Sequence, residues 1–203
     1  MPMSLEECNA LVAKLARQPQ FACYREAITE GSKREPIIDG CGSELAISCR
    51  KCGIEGAEGC ARAYLEAPPV ALVLCANRLE EGEAEDALRH ELVHAYDICA
   101  AKRDLTKCMP LAYSEVRAAR ESECKKGTIS YPFCEWFRES CIRRTAANAT
   151  RTIFPAEADW CVGEVFKEAL ADLAPTPSDS GLGPRTPASI PTMTPRADAP
   201  NAR

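Results

Sequence analysis

The sequence predicts an α+β fold, mainly helical with a small sheet ahead of its central helix, and three observations carry that expectation. Apolar residues recur at helical spacing in several segments, the run Val70-Ala-Leu-Val-Leu-Cys75 is apolar throughout, and 13 cysteines are spread from Cys8 to Cys161. Apolar positions three and four apart mark one face of a helix, whereas a short unbroken apolar run marks a strand buried on both faces. Cysteine at such density marks crosslinks, bound metal, or both.

Residues 1 to about 30 read as a helix with Leu5, Cys8, Leu11, Val12 and Leu15 on one stripe, broken at Pro19 and resumed to Ile28. Pro36 to Cys49 holds Ile37, Ile38, Leu45 and Ile47 between glycines, consistent with one or two short strands. A tight knuckle, Cys49-Arg-Lys-Cys52-Gly, follows, and then the strand Val70–Cys75, introduced by Pro68-Pro69 and ending at Asn77. From about Glu83 to Lys102 the pattern is helical, with Ala84, Ala87, Leu88, Leu92 and Ala95 facing inward. Pro110 sits in the first turn of a second helix running to about Cys124, a place where its missing amide hydrogen costs nothing. Further helices are expected over 132–152 and 155–173.

Beyond Ala174 the composition changes. Seven of the 15 prolines fall in the last 29 residues, without an aromatic residue, so this stretch cannot bury enough apolar surface to offset the entropy of ordering it. The expected organisation is one cysteine-rich domain over 1–174 and a disordered Pro-rich tail over 175–203.

A formal net charge of −5 argues against nucleic acid as a partner, and Arg143, Arg144 and Arg151 read as a solvated helix face. Met1 to Ala22 shows no apolar core of a secretory signal, and Glu6 and Glu7 do not suit a matrix-targeting presequence. No run approaches the roughly 20 apolar residues that cross a bilayer. A cysteine-dense chain of this kind fits the mitochondrial intermembrane space, where disulfide formation can drive import and folding. Cys124 and Cys134 bracket nine residues, a spacing that recurs in helical hairpins of that compartment.

The chemistry concentrates in one helix. The only 2 histidines stand four apart around a glutamate in Arg89-His90-Glu91-Leu92-Val93-His94-Ala95-Tyr96-Asp97. On a helix His90 and His94 share a face, so both imidazoles can grip one Zn2+ while Glu91, as the catalytic residue, deprotonates its water. The alternative is a pair of histidines on the polar face of an ordinary amphipathic helix. A hydrolytic zinc takes three protein ligands, and with both histidines used the third is a carboxylate or a cysteine. Glu115, on the next predicted helix, leaves the chain room to turn back; Asp97 is the competitor, although its short side chain suits a supporting hydrogen bond better. Tyr96, Tyr113 or Arg117 could stabilise an oxyanion, although each reads first as a packing or surface residue and the sequence does not choose between them. A strand leading into a metal-binding helix is the zincin layout, in which an edge strand beside the site holds an extended peptide. Cys41, Cys49, Cys52 and Cys60 allow a four-thiolate structural zinc site, or else disulfides, which the surplus of cysteines elsewhere favours.

With these residues in place, the chain resembles the mitochondrial inner membrane metalloprotease family known as ATP twenty-three. The likeness rests on Cys49-x-x-Cys52, Val70–Cys75, His90-Glu-Leu-Val-His-Ala-Tyr-Asp97 with Cys99, Tyr113-Ser-Glu-Val-Arg-Ala-Ala119, Cys124, Cys141-Ile-Arg-Arg and Gly163-Glu-Val-Phe166, and covers about residues 40 to 175. The resemblance implies a zincin-like zinc metalloendopeptidase, peripheral on the intermembrane-space face of the inner membrane. It implies a protein substrate, a precursor of an ATP synthase membrane-sector subunit, and a part in that subunit's assembly. Tyr113 stands where relatives often carry cysteine, and the cysteine expected near Ala169 is missing, so Cys60, Cys108 and Cys161 are expected to have other partners. The competing reading is a disulfide-stapled assembly factor or adaptor without proteolysis, against which an intact Glu91 speaks.

Overall fold

The computed structural model describes residues 1–34, 40–42, 44–55, 59–125 and 134–175. Helix α1 spans Leu5–Leu15 and starts on a reciprocal cap in which Ser4 and Glu7 each accept the other's backbone amide. Helix α2, Pro19–Arg34, opens on the proline that stops α1. Strands β1 (Ala46–Arg50), β2 (Ala63–Glu66) and β3 (Ala71–Cys75) follow, then helices α3 (Glu81–Cys99), α4 (Cys108–Glu121), α5 (Cys134–Arg151) and α6 (Ala158–Ala171). This is the mainly helical α+β arrangement that the periodicity predicts. Of the tail expected over 175–203, residues 176–203 lie outside the described residues, as do 36–39 and 43 of the expected strand region.

The sheet has the order β1-β3-β2, with β3 parallel to β1 and antiparallel to β2. Leu72, Val73, Leu74 and Cys75 are all fully buried, which explains why β3 is apolar throughout rather than alternating. The strand that leads into α3 is therefore central, and the open edges among the described residues belong to β1 and β2. Sequence reading missed β2, since Ala63-Tyr-Leu-Glu66 is four half-buried residues with no clear alternation.

Two apolar clusters meet at a seam. One joins α1, α2, the sheet and α3 through residues such as Phe21, Leu72, Leu88 and Leu92; the other joins α4, α5 and α6 through Val116, Ile142, Val165 and Phe166. Helix α4 lies between them and is buried continuously from Leu111 to Arg120. It nevertheless carries Ser114, Glu115, Arg117 and Arg120, each of which needs a partner in the interior.

Disulfides fasten both halves. Cys8–Cys49 ties α1 to β1, Cys41–Cys99 ties the segment before β1 to the end of α3, and Cys52–Cys75 ties the knuckle to β3. Cys108–Cys161 joins α4 to α6, and Cys124–Cys141 joins the turn after α4 to α5. The four-thiolate zinc alternative is thereby excluded, because Cys41, Cys49 and Cys52 each have a different partner and Cys60 is a free, exposed thiol. Cys124 bonds Cys141, so the nine-residue bracket to Cys134 is not a bridge. Alkylation of the native protein should label Cys60 readily and the ten bonded cysteines only after reduction. Peptide mass mapping checks this, and labelling of Cys49 or Cys52 without reductant would contradict the pairing.

The crossing of α2 over the end of α3 depends on one missing side chain. A Cβ placed on Gly31 would lie 2.5 Å from Ala100 Cα and 2.9 Å from the Cys99 carbonyl oxygen. Both neighbours are backbone and cannot swing aside. Gly31→Ala should therefore destabilise the fold by about 1–3 kcal/mol despite alanine's better helix propensity, as measured by thermal unfolding under non-reducing conditions.

Candidate metal centre

Helix α3 presents His90 and His94 one turn apart, their ring centroids 4.8 Å from each other at an interplanar angle of 76°. Helix α4 crosses this face and delivers Glu115 between them. Its Oε2 is 3.5 Å from His90 Nε2 and its Oε1 is 3.6 Å from His94 Nε2. One ligand atom from each of the three lies within 4.8 Å of the others.

These separations are too long for good hydrogen bonds, whose N···O distances run about 2.7–3.2 Å. They suit donors spread around a shared ion: at metal distances of about 2.0–2.2 Å, tetrahedral ligand atoms sit roughly 3.4 Å apart. Glu115 Oε2 is buried without a hydrogen-bond partner, a position that a cation would satisfy and that is costly otherwise. The donor set, two imidazoles and a carboxylate, is the one a hydrolytic zinc takes, so these residues fit the ion.

Behind the cluster each imidazole has its own support. His90 Nδ1 is 3.3 Å from Glu123 Oε1 and 3.4 Å from Ser122 Oγ, whereas His94 Nδ1 is 2.8 Å from Ser114 Oγ. Burial opposes ionisation of Glu123, but hydrogen bonds and charge from His90, with help from Ser122, hold its carboxyl down to about 2. Glu91 adjoins His90 on α3; burial pushes its carboxyl up from the ordinary range while the charges of His94 and His90 pull it back.

Asp97 is not in the cluster. Fully buried, it accepts hydrogen bonds from Ser114 at 2.7 Å, from Arg103 and from Arg117, and it reaches His94 only through Ser114. The geometry thus brings together His90, His94 and Glu115 and leaves the competitor one residue removed. The three oxyanion candidates turn inward as well. Tyr113 donates to Asp172, Arg117 donates to Asp97 and to the Ala174 carbonyl, and Tyr96 is buried edge-on against Tyr24 under the Arg117 guanidinium. All three are buried.

Glu123, Ser114, Arg103 and Asp172 escaped notice as site residues. Ser114 had a signal, since it adjoins Glu115 in the quoted motif, but Glu123 lies in the turn beyond α4 and Asp172 beyond α6, where no periodicity points to the centre.

Over 140 residues the chain is 31% identical to a protein of Neosartorya fischeri named "Mitochondrial inner membrane protease atp23", covering 64% of this chain and 56% of that one. A Debaryomyces hansenii protein named "Mitochondrial inner membrane protease ATP23" is 41% identical over 122 residues, 53% of this chain and 50% of its own. In Danio rerio a protein named "Mitochondrial inner membrane protease ATP23 homolog" is 31% identical over 138 residues, 64% of this chain and 52% of its own. The chain spans about half the length of the curated relatives it matches. No solved structure is significantly similar. The model of the Peptidase M76 family matches residues 6–177, which takes in the described elements from the second residue of α1 to the end of α6 and the whole three-donor cluster, and the chain belongs to that family.

Proposed function

We propose that this chain is a zinc-dependent metalloendopeptidase whose ligands are His90, His94 and Glu115 and whose general base is Glu91. The observation that carries the reading is the three-donor cluster with an unpartnered, buried Glu115 oxygen beside a glutamate on the same helix as the histidines. A bound zinc ion supplies Lewis acidity, activating water near neutral pH and polarising a peptide carbonyl. The chain's own residues do the rest. Glu91 takes a proton from the attacking water and passes it to the leaving amine. Its burial pushes the carboxyl's proton affinity up, which suits a group that must accept that proton. Glu123 and Ser114 hold the two imidazoles by their Nδ1 atoms.

The relatives' names place them at the mitochondrial inner membrane, and among the described residues no helix is long and apolar enough to cross a membrane. Peripheral attachment on the intermembrane-space side, where five disulfides can form and persist, agrees with both. The protein substrate proposed is a precursor of an ATP synthase membrane-sector subunit, whose processing also assists its assembly. Purified protein should hold about one zinc per chain, and Glu115→Ala should bring that stoichiometry near zero after mild chelation. Metal analysis of the two proteins is the test. Full zinc retention by Glu115→Ala would remove Glu115 from the ligand set, and an unaltered protein that takes up no zinc would end the reading.

A further inference from the structure

Ser114 stands between a metal-facing imidazole and the most completely buried carboxylate of the fold, and the hydrogens available there admit one arrangement. Asp97 is fully buried. Its Oδ1 receives Arg103 and Arg117, two guanidinium groups that donate and never accept. Its Oδ2 lies 2.7 Å from Ser114 Oγ. A carboxylate held by two arginines only accepts, so the single hydroxyl hydrogen of Ser114 is committed to Asp97. What remains on Ser114 Oγ is lone pairs, and His94 Nδ1 sits against them at 2.8 Å. Nδ1 must therefore carry the hydrogen. The opposite tautomer would press two lone pairs together at that distance inside a dry interior.

We propose that Ser114 is a positioning residue, relaying the Asp97–Arg103–Arg117 charge cluster to His94 so that the imidazole is locked with hydrogen on Nδ1 and a bare Nε2 turned to the metal. This rests on the metallopeptidase reading above and deepens it. The Nε2 so exposed is the atom 3.6 Å from Glu115 Oε1. Because Ser114 and Glu115 are neighbours on α4, one helix sets both the third ligand and the tautomer of the second. His90 has no equivalent lock. Its Nδ1 meets Glu123 and Ser122 at 3.3–3.4 Å, and the Glu123 side chain is about one third exposed, so its support is looser and open to water. The two histidines of α3 are thus held unequally, His94 rigidly and His90 adjustably.

The test combines zinc affinity with the nitrogen–proton spectrum of the imidazoles in the zinc-loaded full chain. In the unaltered protein His94 should show a protonated Nδ1 whose hydrogen exchanges slowly with water. Ser114→Ala should weaken zinc binding about 10–100-fold in chelator competition and make that hydrogen exchange fast, with the His90 signal unchanged. The melting temperature of metal-free Ser114→Ala separates this from a packing defect, since a purely structural serine would lower the melting temperature and leave the His94 signature as it was. Coordination of zinc through His94 Nδ1 in the unaltered protein overturns the proposal without any variant having to fold. So does equal zinc affinity in Ser114→Ala, an outcome that leaves the metallopeptidase reading standing. Failure of the unaltered protein to bind zinc strikes the parent reading instead.

Discussion

Glu91→Gln is expected to keep its zinc and lose peptide cleavage by at least about 10²-fold. The two halves of that expectation have separate origins. Retention follows from the cluster, which draws its donors from His90, His94 and Glu115 and none from Glu91. Glutamine has the same shape and hydrogen-bonding reach, so the surroundings need not rearrange. Loss of activity follows from chemistry, because an amide cannot take a proton from water at neutral pH, and positioned general bases contribute roughly 10²–10⁴-fold. The environment of Glu91 suits a general base, since burial raises its carboxyl above the ordinary range and so strengthens it as a proton acceptor. Metal content measured on the same preparation as cleavage of the candidate precursor decides the matter. Cleavage at the unaltered rate would remove Glu91 from the mechanism, and loss of metal would show it to be part of the coordination instead.

The helical half of this fold was legible because burial there leaves a periodic trace. Leu88, Leu92 and Ala95 face the core at helical spacing, and α3 follows the expected segment to within a few residues, ending at Cys99 where the chain soon turns through Lys102 at a positive φ of 55°. The apolar strand was legible for the complementary reason that both of its faces are covered. Strand β2 left no trace, since four half-buried residues on a sheet edge carry neither alternation nor an apolar run. At the site, His90, Glu91 and His94 follow from spacing along one helix, but the choice between Glu115 and Asp97 is a question of how α4 crosses α3, which no local pattern encodes. Arg117 and Tyr113 were open as oxyanion donors but read first as packing or surface residues, and they are buried. In the fold they point to Asp97 and Asp172 instead, contacts formed by chain segments 20 and 59 residues apart. The cysteine pairings were hidden for the same reason, joining positions from 17 to 58 residues apart.

Arg117→Leu is expected to destabilise the metal-free, disulfide-intact protein by about 3–5 kcal/mol, the cost of breaking a buried ion pair from one side. Arg117 is the largest fully buried side chain among the described residues, and its guanidinium ties α4 to Asp97 on α3 and to the segment after α6, through Asp172 at 3.7 Å and the Ala174 carbonyl. Leucine fills part of the volume but leaves Asp97 with one guanidinium, that of Arg103, beside the Ser114 hydroxyl, and the Ala174 oxygen without its Arg117 donor. For a domain of this size the loss corresponds to a fall in melting temperature on the order of 10 °C. Arg117→Lys should recover only part of it, because one ammonium cannot reach a carboxylate and a carbonyl with the fixed fork of a guanidinium. Arg120 supplies an internal comparison. Its guanidinium donates to the Ala169 and Leu170 carbonyls near the end of α6 and pairs with the partly exposed Glu121, so Arg120→Leu strands no buried carboxylate and should cost less. A loss below about 1 kcal/mol for Arg117→Leu would mean that Arg103 and Ser114 together satisfy Asp97. Should that happen, the buried charge cluster would be redundant as scaffolding, and its tie to His94 through Ser114 would be the stronger reason for its presence beneath the metal centre.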